Sequence, residues 1–230
     1  MCCNRQHESH GLLLIVCVFR CCCCLPVTVR LDLSNSRYQN GPLLGNAFRG
    51  LQHLESLDLS ANTYTTNVPV QITRLPMLKY LYLDSVTFQT PFRQDLTFLL
   101  DMPSIFEVFL DDVPIRGGIP NNIGQVTTLA SLSLTNCNLN GPLPRSLGNL
   151  VNLQRLWLYQ NSLHGVIPTE LNNLPSLQVL RVEGNVLNGQ VGLCNSNSQA
   201  PLRLLGSDCS RTVCPCCTCC SVQDCATSQG

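Results

Sequence analysis

The chain has 230 residues, 44% of them apolar, with 14 basic and 14 acidic side chains and no run of either sign. That length allows one or two packed domains, and the balanced charge argues against electrostatic attraction to nucleic acid or to an anionic membrane surface. Of the 16 cysteines, all but Cys137 fall in the first 24 residues or from Cys194 onward, a clustering that belongs to ends and fits an oxidising compartment better than the cytosol.

Residues 1–28 form an apolar, cysteine-rich opening segment. An apolar run over residues 11–19 follows Arg5 and resembles the first two regions of a secretory signal, but Arg20 and four consecutive cysteines stand where small residues would mark cleavage. With those cysteines counted as apolar, residues 11–29 approach membrane-spanning length, although Arg20 in the middle costs about 2.5–3.5 kcal/mol on insertion. A secretory signal, an anchor that associates the chain with a membrane, and a start that is neither all stay open. Cysteines 21–24 are also of the kind acylated beside apolar segments.

Residues 29–193 repeat one phrase. Leu132-Ser-Leu134, Leu156-Trp-Leu158 and Leu180-Arg-Val182 stand 24 residues apart, followed at fixed offsets by Leu139, Leu163 and Leu187 and then by Gly141, Gly165 and Gly189. The same frame fits Leu31-Asp-Leu33, Leu57-Asp-Leu59, Leu81-Tyr-Leu83 and Val108-Phe-Leu110, giving about seven coils. A fixed period of this length marks a solenoid. Within each coil the alternation predicts a short strand with its leucines inward. Ile72, Leu96, Ile123, Leu147 and Leu171 predict a second inward edge, and Leu75, Leu99, Val126, Leu150 and Leu174 a third. One coil buries about six apolar side chains, roughly 10–18 kcal/mol gross, against about 1–2 kcal/mol of ordering for each of its residues. A lone coil cannot stand, so the coils must stack and share their buried faces.

Three residues after the second leucine lies a column suited to Asn, whose amide can bond the backbone of the turn and of the neighbouring coil. It reads Ser36, Asn62, Val86, Val113, Cys137, Asn161 and Asn185. The two valines cannot serve, so the middle of the stack should be its least regular part. Cys137 reads as a small apolar replacement rather than a reactive thiol.

Residues 194–230 are poor in apolar side chains and hold Cys194, Cys209, Cys214, Cys216, Cys217, Cys219, Cys220 and Cys225. A solenoid end needs its last apolar layer covered. A disulfide-stapled cap can do that, with connectivity unreadable from the sequence. Zinc binding is the alternative, although the spacing is tighter than usual paired-cysteine sites. A loose tail is the third reading.

The phrases Leu139-Asn-Gly-Pro-Leu-Pro144, Leu163-His-Gly-Val-Ile-Pro168 and Ile115-Arg-Gly-Gly-Ile-Pro120 resemble the signature of plant-type leucine-rich repeats, the family of receptor-like proteins and receptor-like kinase ectodomains. The resemblance implies an α/β-type solenoid dominated by short parallel strands, a superhelix with a concave parallel sheet. It also implies a non-catalytic module that binds a protein or peptide ligand, or a glycan, secreted or at the cell surface in signalling or defence. The alternatives within the family are a fragment of a receptor kinase without its kinase, and a secreted inhibitor of a polysaccharide-degrading enzyme. Departures from the family pattern are the missing paired-cysteine N-terminal cap and the absence of any Asn-x-Ser/Thr acceptor. No phosphate loop or catalytic-loop motif is present, and the four histidines share no frame position, so neither an enzyme nor a bound cofactor or metal is expected.

In this frame the outward strand positions make three columns. The first is Arg30, Ser56, Tyr80, Glu107, Ser131, Arg155 and Val179. The second is Asp32, Asp58, Tyr82, Phe109, Ser133, Trp157 and Arg181, and the third Ser34, Ser60, Asp84, Asp111, Thr135, Tyr159 and Glu183. Aromatic rings mixed with Arg and Asp on an exposed face are what binding hot spots are made of. Tyr80, Tyr82, Asp84, Phe109, Asp111, Arg155, Trp157, Tyr159, Arg181 and Glu183 are therefore the candidate ligand contacts. Ser131 and Ser133 interrupt the aromatic run and allow two half-sites.

Overall fold

The computed structural model describes residues 29–37, 41–42, 48–66, 68–88, 95–190, 202–208 and 212–213. The opening segment, with its signal and anchor readings, lies outside the described residues. So do all eight tail cysteines and the disulfide or zinc readings attached to them.

Among the described residues the strands are, in chain order, β1 (Val29–Asp32), β2 (Leu54–Asp58), β3 (Thr63–Tyr64), β4 (Tyr80–Tyr82), β5 (Thr87–Phe88), β6 (Glu107–Phe109) and β7 (Ser131–Ser133). They continue with β8 (Asn140–Pro142), β9 (Arg155–Trp157), β10 (Ser162–Val166), β11 (Val179–Arg181), β12 (Val186–Gln190), β13 (Leu204–Gly206) and β14 (Thr212–Val213). Strands β1, β2, β4, β6, β7, β9, β11 and β13 form one eight-stranded sheet in that order, each neighbouring pair parallel. Leu57 pairs with Leu81, Leu81 with Val108, Val108 with Leu132, Leu132 with Leu156 and Leu156 with Leu180, which is the register that the leucine frame demands. One irregularity falls between Val29 and Arg30, where β1 meets β2. The sheet also runs one strand past the last frame copy. In β13, Leu205 pairs with Leu180 and is buried, as is Ser207 two residues on.

The core is a single ladder of these leucines. Ile72, Leu96, Ile123, Leu147 and Leu171 are buried, and so are Leu75, Leu99, Val126, Leu150 and Leu174. The second edge is carried by one turn of α-helix, Val70–Thr73, and by 3-10 turns at Leu96–Asp101, Ile123–Gln125, Arg145–Asn149 and Thr169–Asn173. The first 3-10 turn is the longest and absorbs the three-residue surplus of its coil, adding buried Phe98 to the core. Among the described residues no helix is long and apolar enough to cross a membrane.

Three residues beyond each of β1, β2, β4, β6, β7, β9 and β11 stands a residue with a left-handed backbone: Asn35, Ala61, Ser85, Asp112, Asn136 and Gln160 at φ of 48 to 62°, and Gly184 at 69°. That reversed residue turns the chain off the sheet, and Arg37, Asn138, Gly117, Gly141, Gly165 and Gly189 reverse it again further along their coils. The Asn column closes the turn behind it. Asn161 Nδ2 donates to the Leu134 and Leu158 carbonyls at 2.7 and 3.0 Å, while its Oδ1 accepts the Cys137 and Leu139 N–H groups at 3.0 Å. Asn62 and Asn185 bond their own and the preceding coil in the same way.

At the valine positions the backbone bonds to itself, with Val86 N–H donating to Leu83 O at 3.3 Å and Val113 N–H to Leu110 O at 3.2 Å. The buried Cys137 thiol donates to Leu110 O at 3.0 Å, so it partly stands in for an amide. Its burial also pushes it up to about 12, which keeps it unionised. In the eight-stranded sheet the two valine coils keep an unbroken register, and a gap falls instead in the pairing outside that sheet. There β3 pairs with β5, and β8, β10, β12 and β14 form a second ribbon, with no strand between the two pieces among the described residues.

Candidate functional site

Side-chain alternation turns the three columns onto the concave face of the eight-stranded sheet, and the register sets their neighbours. Tyr80 pairs with Glu107 and Arg155 with Ser131; Tyr82 pairs with Phe109 and Trp157 with Ser133. The rings do not stand singly. Tyr82 and Phe109 lie with centroids 5.4 Å apart and planes tilted by 36°, and Phe109 and Trp157 lie 5.8 Å apart at 42°. All three are half-buried, and the separations are those of favourable tilted ring pairs.

The serines do not split this row. Ser133 is 2% exposed, because Phe109 and Trp157 close over it from either side and its hydroxyl donates to Asp111 Oδ1 at 2.6 Å. Ser131 is 0% exposed beneath an ion pair that spans the same gap. Arg155 Nη2 reaches Glu107 Oε1 at 2.7 Å while its Nε donates to Ser131 Oγ at 2.9 Å. The small side chains let their large neighbours meet, so the rings form one row across the gap that left two half-sites open. Arg155 also lies 5.8 Å from the Trp157 centroid.

Flanking the rings on the third column, Asp84 Oδ1 accepts the Asp111 N–H at 2.8 Å, and Asp111 Oδ1 accepts the Thr135 N–H at 2.7 Å. Burial pushes the Asp84 carboxyl up to about 6; the charges of Asp111, Asp58 and Asp112 add to this, and the bond from Asp111 N–H opposes it. Tyr82 is raised by burial and then by Glu107, whose carboxylate accepts its hydroxyl at 3.3 Å.

Two of the ten expected contacts need correction. Arg181 is 8% and Glu183 0% exposed, so neither offers a side chain to a ligand. Arg181 Nε donates to Glu183 Oε1 at 2.6 Å, and its guanidinium lies 4.2 Å from the Tyr159 centroid. The added strand β13 follows β11 in the sheet, and Asp208 just beyond it accepts the Gly184 and Asn185 N–H groups. These residues tie the end of the stack together. Tyr80 belongs to a separate pair, edge-on to Phe106 at 6.1 Å. Two participants missing from the expected contacts are Glu107, which joins Tyr82, Ser131 and Arg155, and Asp58 beside Tyr82. Both stand in the predicted columns, and the only signal for them was that position.

One parallel strand per coil, a column of turn-closing asparagines and an open concave face define a leucine-rich-repeat solenoid. The Leucine rich repeat family matches residues 26–85 and 127–187, more than half of the chain, and the chain belongs to that family. Among curated proteins none matches it significantly. Among solved structures, the ectodomain of the Arabidopsis thaliana receptor kinase GASSHO1/SCHENGEN3 in complex with CASPARIAN STRIP INTEGRITY FACTOR 2 is 29% identical with a TM-score of 0.60, covering 70% of this chain and 19% of that one. The PEPR1-AtPEP1 structure is 29% identical with a TM-score of 0.59, covering 76% and 22%. A leucine-rich-repeat protein of Leptospira interrogans is 28% identical with a TM-score of 0.60, covering 70% and 38%. The chain thus spans about a fifth of the length of the solved GASSHO1/SCHENGEN3 ectodomain and PEPR1 chains.

Proposed function

We propose that this chain is a non-catalytic recognition module that holds a protein or peptide ligand against its concave sheet, at the cell surface or in secreted form. The observation that carries the reading is the continuous row of Tyr82, Phe109 and Trp157. It is rigid, amphipathic and flanked by charge, and a few such aromatic anchors dominate protein-binding energies. The rings are pinned by one another and by the Glu107–Arg155 pair, so little side-chain entropy is lost when they are covered. Support also comes from the two plant receptors, since each was solved together with a second component that its structure names.

The test is capture of partners from cell-surface and culture-medium fractions by the tagged full chain. Trp157→Ala should weaken capture by about tenfold or more, the scale of a lost hot spot, while circular dichroism and the melting temperature stay nearly unchanged. Equal capture by the two proteins would remove the concave face from the account.

A further inference from the structure

The aromatic row is unevenly charged along its length. Toward β1, Tyr82 has Asp58 one coil away in its own column and Asp84 two residues on. Phe109 has Glu107 two residues before it and Asp111 two residues on. On the Trp157 side Arg155 is already paired with Glu107, and on the other side exposed Arg30 stands opposite Ser56, one strand from Asp58. Asp58, Asp84 and Asp111 each turn one oxygen to a backbone N–H, of Ser60, Asp111 and Thr135 respectively. Among the described residues none of the three has a cationic partner within ion-pair distance. Their crowding is felt at Asp84, where Asp111, Asp58 and Asp112 add to the effect of burial. An arriving positive charge would relieve that repulsion.

Resting on the reading that this face is the contact surface, we propose that it takes an extended peptide segment whose Arg or Lys side chain lies across Tyr82 and Phe109, its charge against Asp58 and Asp84. Cations are attracted to ring faces within about 6 Å of the centroid, and carboxylates beside the rings add Coulomb attraction. A bare divalent ion fits less well, because calcium wants six to eight converging oxygens while these carboxylates are partly committed to backbone donors. A phosphate-bearing ligand would be repelled. The span also suits a peptide. From Tyr82 to Trp157 is three strand steps, about 14 Å, which about five extended residues cover with alternate side chains facing the sheet.

The experiment is selection from a randomised, tryptophan-free octapeptide display library on the immobilised full chain, with Asp58→Asn/Asp84→Asn and Trp157→Ala in parallel. Arg and Lys should be enriched about threefold or more in the bound pool, the scale of a single partly exposed charge or cation–π contact. The double variant should lose that enrichment while still recovering peptides. Binders without basic enrichment, basic enrichment that survives in the double variant, or no binders at all would overturn the proposal. If Trp157→Ala recovers the same pool as the unaltered chain, the concave-face reading itself fails. If Trp157→Ala loses binders and the double variant changes nothing, only the basic-residue assignment fails.

Discussion

At Asp84 a single side chain serves the turn and carries a penalty for doing so. Its Oδ1 holds the Asp111 N–H at 2.8 Å, yet burial and three neighbouring carboxylates push it up to about 6 from 3.8. Below pH 4 the carboxyl is protonated in both folded and unfolded chains. As pH rises from about 4 to about 6 the unfolded chain ionises first, so stability falls through that window and levels off above it. Asp84→Asn keeps the acceptor and removes the charge. In urea melts at pH 7.5 it should be more stable than the natural chain by about 1 kcal/mol, a figure discounted for partial exposure, with the difference vanishing near pH 4. Equal stability at pH 7.5 would show that the repulsion is screened. None of this was legible in the residues alone, where Asp84 was a candidate ligand contact by its outward position in the third column. The Asn column was legible, because its amide chemistry is needed at a fixed offset and the spacing displays the offset directly.

The strands and the 3-10 turns differ in how far they can be read. Leucines at period two fixed each strand and its pairing, since a one-residue slip would turn every leucine to solvent. The burial of Ser131 and Ser133 was not legible, because alternation says which way a side chain points but not whether larger neighbours will close over it. The 3-10 turns were expected only as inward edges, yet their spacing depends on glycine. A Cβ on Gly148 would lie 2.5 Å from the Glu170 carbonyl oxygen and 2.7 Å from Glu170 Cβ, and one on Gly124 would lie 2.3 Å from Ser146 O. These contacts are with the next coil's turn, so the side chain has nowhere to go unless the coils part. Gly148→Ala should therefore destabilise by about 1–3 kcal/mol, the range for overpacking a close contact. Gly50→Ala, which meets nothing within 4 Å, should be neutral or slightly stabilising. Chemical denaturation of the two variants side by side checks this, and similar losses in both would refute the close-approach argument.

The whole molecule is a stack in which each strand of the large sheet pairs only with its neighbours, with Glu107–Arg155 and Phe109–Trp157 reaching across one coil, so damage at one end should stay local. Its C-terminal end extends beyond the seven-coil frame, because β13 adds an eighth strand to the frame's seven. That strand was illegible because Ser207 stands where a second inward leucine would and the segment is poor in apolar residues, although Leu205 follows Leu180 at nearly the usual spacing. Its pairing is nevertheless in register, with Val182 N–H donating to Gly206 O at 3.0 Å, and Leu205 is its buried apolar anchor. Leu205→Ala should cost about 2–3 kcal/mol, concentrated at that end. In native-state hydrogen exchange the Val182 amide should then exchange about tenfold faster or more. The Leu83 amide, which donates to Phe109 O at 2.9 Å in the middle of the sheet, should be unchanged. If both amides accelerate together, the stack unfolds as one cooperative unit. The nearest-neighbour account of its stability would then fail, and the aromatic row could not be treated as insulated from events at the end of the sheet.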